Sequence, residues 1–352
     1  MKFWELLHLK IIILGIGLND KILTIITEGG KEFGFGHITR CLSISKIFEQ
    51  NNFKIQFIVK GDDSVSSLIR SYTYDIFNWQ NKKTILLTKI KNSTLILVDS
   101  MLIENSQLLN LEQSNIPIIF IDDEKRRNIL TKGFVIDWTV LSEKNDYFNP
   151  KKEKVTYLLG SKYTPLRDEF KDATLNNIQD NINTIMITFG GADIRNLSPT
   201  ILENLNIILP NCKKNIVIGN GFSNIKDIEK YKDNNTNFIH NANTSKMIEL
   251  MQECDLAIAS GGQTLYELTR IGTPTIAILL VENAKDDTLG WERVGSIKNI
   301  GWWDDKNLIL NLENNLKLLE DKQERIKMQN STKQYINPNG AKLLVNSILE
   351  KL

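Results

Sequence analysis

The chain has 352 residues, 41% of them hydrophobic and 24% charged, which suits two globular domains and excludes a largely disordered protein. Its 43 Lys and Arg residues nearly balance its 42 Asp and Glu residues. This balance excludes the broad basic surface of a nucleic-acid-binding protein, so an anionic ligand must be bound locally. Cys41, Cys212 and Cys254 have neither disulfide-framework nor zinc-site spacing, which favours a reducing cytoplasm.

Residues 1–20 form an extra segment before the first predicted strand, and they contain the apolar run IIILGIGL at 11–18. This run is too short for a transmembrane helix, which needs about 20 residues, and no small-residue cleavage site follows it. We therefore interpret the segment as a non-conforming leader or a misplaced start, and we expect no stable membrane insertion. A membrane-touching anchor is the less favoured alternative.

Apolar runs of strand length alternate with helical patterns from residue 21 onwards. The runs form a first series at 21–27, 54–60, 93–99 and 116–122, and a second at 183–191, 215–220, 236–240, 254–262 and 273–279. Such runs suit parallel sheets that are covered by helices and receive ligands at the carboxyl ends of their strands. The sequence therefore predicts an α/β protein with two doubly wound, Rossmann-like domains facing each other across a cleft.

The two series of strands divide the chain into domains. The stretch 158–181 between them is polar and contains Pro165, which suits a hinge. We expect an N-terminal domain over residues 21–165, a linker over 166–182, a C-terminal domain over 183–335 and a C-terminal helix over 336–352.

Three glycine-rich turns, at 34–37, 189–193 and 260–264, follow predicted strands. Glycine permits a tight turn and the close approach of a ligand, and the first N–H groups of the next helix lack intrahelical partners. Together with the helix dipole, these groups can hold phosphate. No turn matches a P-loop or the full dinucleotide fingerprint. The candidate substrate-binding glycines are Gly34, Gly36, Gly190, Gly191, Gly261 and Gly262.

The third turn leaves two interpretations of Glu267 open. Thr264 and Glu267 have capping-box spacing, in which Glu267 satisfies N–H groups at the start of its own helix. Alternatively, Glu267 accepts hydrogen bonds from ribose hydroxyls, one helical turn from a diphosphate held by residues 260–264. The spacing alone does not choose between them.

One of the three histidines, His37, directly follows the first glycine turn and precedes a helical pattern. A helix dipole disfavours positive charge at this end, so we expect a neutral imidazole that can accept a proton. Arg40 lies on the same helical face and can pair with phosphate or sugar oxygens. The alternatives are a helix-capping histidine and an arginine that faces solvent or pairs with a carboxylate. His8 and His240 lack partners with metal-ligand spacing, so we predict no metal site.

Five segments carry a resemblance to a known family. GFGHITRCL, IDDE, YTPLRDEF, FGGADIRNLS and SGGQTLYEL with the later GTP occur in this order between residues 22 and 301. Together they resemble the UDP-2,4-diacetamido-2,4,6-trideoxy-altropyranose hydrolases of pseudaminic acid biosynthesis and related spore-coat polysaccharide proteins. More distantly, the C-terminal half resembles the peptidoglycan N-acetylglucosaminyl transferase, which has the GT-B architecture.

The resemblance implies a cytoplasmic enzyme, independent of metals and cofactors, that cleaves a UDP-linked amino sugar at the anomeric carbon and releases UDP. In that family the histidine of the G-x-G-H turn is the proposed base, a role that falls on His37. An asparagine that follows a strand assists at the sugar, a role that falls on Asn283. The loop that holds the diphosphate falls on Ser260, Gly261, Gly262, Gln263 and Thr264.

Two positions depart from the family pattern. The family strand that ends in Asp, here Asp99, continues with His-Tyr, whereas Ser100 and Met101 follow here, and a thioether donates no hydrogen bond. Ala284 replaces a family glutamine. We include Asp99 among the substrate-binding candidates. The departures keep open a GT-B glycosyltransferase with a sugar or lipid acceptor, or a binding subunit without catalysis, and the sequence does not specify an oligomeric state.

Overall fold

The computed structural model describes residues 21–123, 126–144 and 152–352. The apolar N-terminal run at 11–18 lies outside the described residues. None of the helices within these ranges is both long enough and apolar enough to cross a lipid bilayer.

Within the described residues, seven parallel strands form the first sheet in the spatial order β3-β2-β1-β4-β5-β6-β7. The strands are β1 (Lys21–Gly29), β2 (Phe53–Gly61), β3 (Thr73–Ile76), β4 (Leu95–Asp99), β5 (Ile118–Ile121), β6 (Gly133–Asp137) and β7 (Val155–Leu159). The helices of this unit are α1 (Gly36–Gln50), α2 (Ser66–Ile69), α3 (Lys83–Ile90) and α4 (Asn105–Glu112). The strand order reverses between β1 and β4, which makes this the topological switch point of the sheet.

The second sheet contains six parallel strands in the described part of the chain, in the order β10-β9-β8-β11-β12-β13. The strands are β8 (Thr184–Thr188), β9 (Lys213–Ile218), β10 (Thr236–His240), β11 (Leu256–Ser260), β12 (Thr275–Leu279) and β13 (Lys298–Trp302). The helices that follow β8 are α5 (Leu197–Ile208), α6 (Ile225–Glu229), α7 (Thr244–Glu253), α8 (Gln263–Ile271), α9 (Lys285–Arg293), α10 (Leu308–Leu319), α11 (Lys322–Thr332) and α12 (Gly340–Leu349). Here the switch point lies between β8 and β11.

The central strands are apolar on both faces because helices cover both faces of each sheet. Every residue of β4, β11 and β12 is buried. The predicted α/β class, with two doubly wound sheets, is therefore confirmed. The sequence prediction did not include β3, β6, β7 and β13. Of these, β3, β7 and β13 lie at sheet edges and none of them is buried throughout, so they lack the continuously buried apolar run that marks a central strand.

The last helix returns to the first sheet's unit. Helix α12 packs against α1, and its Leu344 and Val345 are fully buried. A Cβ atom added at Gly340 would lie 2.2 Å from the carbonyl oxygen of Thr164, so the helix begins directly against the end of the first unit. The predicted domain boundaries stay predictions. Within the predicted linker, Phe170 is fully buried.

The carboxyl ends of the two sheets meet at the boundary between the units. After β4, the Sδ atom of Met101 lies 3.5 Å from Nδ2 of Asn283, which follows β12. Arg126 pairs with Asp137 at the end of β6 and with Asp286 of α9. Residues that follow strands of both sheets therefore line one shared cleft, as the doubly wound architecture requires.

The close approach of β1 and β2 beneath the first glycine turn gives a stability prediction. A Cβ atom added at Gly61 would lie 1.8 Å from the carbonyl oxygen of Gly29, a backbone atom that the sheet holds in place. We expect Gly61→Ala to lower the free energy of unfolding by about 1–3 kcal/mol, as measured by urea denaturation. The control is Gly36→Ala, because a Cβ atom there meets no atom within 4 Å. Equal effects of the two substitutions would contradict the prediction.

Candidate active site at the interdomain cleft

The first glycine turn places His37 at the switch point of the first sheet. Gly30 and Gly34 exchange two backbone hydrogen bonds of 2.9 and 2.7 Å, and Gly34 has a φ of +76°, which glycine adopts without strain. The N-cap of α1 is Phe35, with no side-chain cap and no acidic residue in the first turn. The second residue of α1, His37, therefore lies at an uncapped helix start.

A buried carboxylate orients the imidazole of His37. Asp99, the last residue of β4, is fully buried, and its Oδ1 lies 2.8 Å from Nδ1 of His37. Nη2 of Arg40 also lies 3.1 Å from Nδ1, but the contact with the carboxylate, which can only accept, is shorter. We therefore assign the ring proton to Nδ1 and the lone pair to Nε2. Within the described ranges, Nε2 makes no hydrogen bond. Asp99 lies behind the imidazole of His37 and supports it there. The direct contact between Asp99 and substrate that the sequence predicts stays untested.

The charge balance at His37 differs from the one predicted. Burial has the largest effect and lowers the pKa of His37, but contact with the Asp99 carboxylate raises it, and the pKa lies above its usual 6.5. The helix-dipole argument predicts a neutral imidazole, and the Asp99 contact opposes the effect of the dipole on the pKa of His37. The neutral state of His37 stays a prediction. Conversely, burial raises the pKa of Asp99, but Arg40 and His37 together hold it well below its usual range.

Arg40 is paired with carboxylates, one of the alternatives that the sequence left open. Its Nε donates to Oδ2 of Asp99 over 2.7 Å, and its Nη1 lies 2.8 Å from Oδ2 of Asp123. The guanidinium also stacks 5.0 Å from the ring centre of Trp138. A contact between Arg40 and phosphate or sugar stays a prediction.

A small cavity lies beside the histidine and is lined by His37, Asp99, Met101, Asp123 and other residues. Its volume of about 10 Å³ is roughly the space that one water molecule needs. One wall is the Met101 side chain, which contacts Asn283 of the second unit. Both predicted catalytic residues, His37 and Asn283, therefore lie at the same part of the cleft.

The second glycine turn does not leave its helix start open. Oδ1 of Asp193 accepts the N–H of Leu197 and Oδ2 accepts the N–H of Ser198, each over 2.9 Å. These are the first N–H groups of α5, so the acidic side chain occupies the place where an anion was predicted to bind. The predicted free helix N-terminus is therefore wrong here. Gly190 and Gly191 stay candidate ligand contacts, since a Cβ atom at either would meet no atom within 4 Å.

The third turn keeps its helix start open. The N-cap of α8 is Gly262, with a φ of +108°, and no side chain caps the helix. A Cβ atom at Gly262 would meet nothing within 4 Å, whereas one at Gly261 would lie 2.7 Å from Cβ of Ala284. Gly261 thus packs the loop against the segment that carries Asn283. Of the other predicted diphosphate ligands, Ser260 ends β11, and Gln263 and Thr264 begin α8.

Glu267 is neither a cap nor free. The Glu267 residue is 4% exposed, and its Oε1 accepts a 2.9 Å hydrogen bond from Nε of Arg167. The capping-box alternative is wrong, because Gly262 caps α8 and no side chain takes part. Arg167 also donates to Oγ1 of Thr244 over 3.0 Å. The predicted contact with ribose hydroxyls stays untested.

The sequence interpretation missed Glu28 and Arg167. Glu28 is the penultimate residue of β1, and its Oε1 accepts the Met101 N–H over 2.6 Å. The sequence feature that could have identified Glu28 is an acidic residue at the carboxyl end of an apolar strand, directly before a glycine turn. Arg167 lies in the polar linker, where nothing local distinguishes it from a solvated arginine. Within the described ranges, no group of His, Cys, Asp and Glu side chains is arranged to hold a metal ion.

Curated relatives cover about three quarters or less of this chain. An uncharacterized protein of Methanocaldococcus jannaschii is 29% identical over 268 residues, 73% of this chain and 55% of the relative. A "Pseudaminic acid cytidylyltransferase and UDP-2,4-diacetamido-2,4,6-trideoxy-beta-L-altropyranose hydrolase" of Helicobacter pylori is 22% identical over 75% of this chain and 46% of the relative. A UDP-N-acetylglucosamine–N-acetylmuramyl-(pentapeptide) pyrophosphoryl-undecaprenol N-acetylglucosamine transferase of Prochlorococcus marinus is 27% identical over 58% and 55%. The chain spans about half the length of each of these relatives. No protein-family model matches the chain.

Solved structures share the fold. MurG of Acinetobacter baumannii superposes with a TM-score of 0.67 at 14% identity, covering 94% of this chain and 99% of that one. The UDP-GlcNAc 2-epimerase of Neisseria meningitidis, bound to UDP-GlcNAc, gives 0.61 at 17% identity, covering 94% and 100%. At these identities the likeness concerns the fold. The GT-B-like arrangement of two Rossmann-like domains, predicted from the sequence, is confirmed.

A titratable side chain at the interdomain boundary predicts how stability varies with pH. The Tyr266 hydroxyl donates to Oδ1 of Asp287. Burial raises the pKa of Asp287 to about 7, against 3.8 for an ordinary aspartate, and the nearby Asp123 and Asp137 contribute to the rise. The folded state therefore binds a proton that the unfolded state releases between about pH 4 and 7.

It follows that this side chain lowers stability as the pH rises from about 4 to 7. Urea unfolding across this range should show a smaller decline in midpoint for Asp287→Asn than for the wild type. The control is Asp227→Asn, because Asp227 is an exposed partner of Lys230. Identical pH dependence in the wild type and Asp287→Asn would contradict the shifted pKa.

Proposed function

We infer that the protein is a cytoplasmic hydrolase of a UDP-linked amino sugar of the 2,4-diacetamido type, acting in surface-glycan biosynthesis. The observation that carries this proposal is the His37–Asp99 pair, in which the carboxylate holds Nδ1 and leaves Nε2 as the acceptor. Further support comes from the relative of Helicobacter pylori, whose name includes such a hydrolase, and from the sequence segments that resemble that family.

The proposed reaction uses His37 as a general base. Nε2 accepts a proton from a water molecule as its oxygen bonds to the anomeric carbon, and the bond from that carbon to the diphosphate oxygen breaks. Asp99 stabilises the resulting imidazolium, as a carboxylate partner does in other histidine bases. A diphosphate is a weak base and leaves as the anion, so the mechanism assigns no general acid.

The departing diphosphate is assigned to the loop 260–264. The start of α8 has unpartnered N–H groups without a side-chain cap, and such groups stabilise developing negative charge. Asn283 follows the neighbouring strand β12, and its amide contacts Met101 beside the His37 cavity. This position lies between the proposed base and the diphosphate loop, as a contact with the sugar requires.

A GT-B glycosyltransferase is the second candidate. The observation that favours it is Met101, whose thioether lines the cavity and donates no hydrogen bond to a catalytic water. In this reaction a hydroxyl of a sugar or lipid acceptor replaces water, and His37 takes the hydroxyl proton. The transferase of Prochlorococcus marinus is a relative in keeping with this alternative.

The test measures UDP release from UDP-linked 2,4-diacetamido sugars, with and without acceptor. We expect release without acceptor and a decrease of about 100-fold or more in His37→Ala, the usual contribution of a general base. The control is His240→Ala, since His240 is an exposed histidine at the end of β10 and should leave the rate unchanged.

Other results would favour other functions. Release only in the presence of an acceptor favours the glycosyltransferase. Tight binding of UDP without turnover indicates a binding subunit, and full activity in His37→Ala rules out the proposed base.

A further inference from the structure

We propose that Glu28 is a positioning residue for His37, a second buried carboxylate that acts with Asp99 to stabilise the charged imidazole. This inference rests on the proposed function, in which His37 is the base. It adds a residue from a third element, because Glu28 belongs to β1, Asp99 to β4 and His37 to α1.

The sheet register fixes Glu28 next to the pair. Thr27 of β1 is aligned with Asp99 of β4, so Glu28 lies one residue further towards the cleft, at the level of Ser100. Its side chain is only 2% exposed. The same strand leads directly into the turn that carries His37, which brings both residues to the switch point of the sheet.

The two oxygens of Glu28 have different surroundings. Oε1 accepts the backbone N–H of Met101 over 2.6 Å. Oε2 is buried and makes no hydrogen bond of ordinary geometry with the described residues, although the Ser100 hydroxyl approaches the carboxylate. An unpartnered oxygen on a buried carboxylate is costly, and a nearby positive charge reduces that cost. His37 becomes such a charge when it accepts a proton.

The charges of Glu28 and His37 favour one another. Burial has the largest effect and raises the pKa of Glu28, the charged His37 and the Ser100 hydroxyl lower it, and Asp99 raises it. Glu28 in turn raises the pKa of His37, in the same direction as Asp99, whereas Arg40 lowers it. Asp123 faces Arg40, and Cys41 donates to Asp99. Asp122 and Arg127 line the same cavity as His37 and Asp99.

Glu28 has a second, separable effect. By accepting the Met101 N–H it fixes the main chain of the residue whose thioether contacts Asn283. A Glu28→Gln substitution keeps an oxygen that accepts this N–H but removes the negative charge. The substitution therefore tests the electrostatic role while retaining the hydrogen bond.

The experiment follows the His37 ring by NMR as a function of pH, without substrate. With three histidines in the chain, the ring signals are assigned by single substitution. In Glu28→Gln we expect the pKa of His37 to fall, because a nearby opposite charge favours the charged imidazole, whereas Glu28→Asp retains most of the shift. The matched control is Glu249→Gln, at an exposed carboxylate of α7, which should leave the titration unchanged.

An unchanged His37 titration in folded Glu28→Gln overturns the proposal. Should that variant fail to fold, the test uses the carboxyl carbon signal of Glu28 in the wild type. We expect this signal to inflect at the pH where His37 titrates, and the inflection to disappear in His37→Gln. A wild-type Glu28 signal without this inflection also overturns the proposal. These readouts need no turnover, so a lower His37 pKa together with no UDP release contradicts the proposed function alone.

Kinetics give a further discriminating result if the protein hydrolyses UDP-sugars. In a plot of kcat/KM against pH, the value rises as His37 in the free enzyme loses its proton. A lower His37 pKa in Glu28→Gln therefore moves this rising limb of the profile to lower pH. A loss of rate without movement of the limb indicates a merely structural role and overturns the proposal.

Discussion

The contact between Asp99 and His37 is the interaction on which the candidate site depends. It joins the end of β4 to the start of α1 across the switch point of the first sheet, and it fixes which ring nitrogen carries the proton. Arg40 neutralises the same carboxylate, so the buried charge is paired rather than isolated. Glycines at the end of β1 allow the chain to turn closely enough to bring these groups together.

The architecture was predictable because its signal is local and repeated. Apolar runs such as that of β4 mark strands buried on both faces, and two series of them mark two sheets. Edge strands such as β3 carry mixed polar residues and give no comparable signal. The return of α12 to α1 was not predictable from periodicity, because an apolar helical face does not specify which distant surface it covers.

The site was predictable at the turns but not in its charge pairs. The glycine spacing located His37 and the 260–264 loop, whereas the partners of Glu267 and Arg40 lie about 100 and 60 residues away and come together only through tertiary structure. Asp193 illustrates the converse case, in which the sequence predicted an open anion site that the structure does not have. A glycine turn resembles an anion site until the structure shows an acidic side chain of that turn on the helix N–H groups.

The path of α12 also bears on how the two units move. The chain passes from the first unit to the second near residue 166 and returns to the first before Gly340, where the helix start abuts the Thr164 carbonyl. Two covalent connections so close together restrict the relative rotation of the two units more than a single linker would.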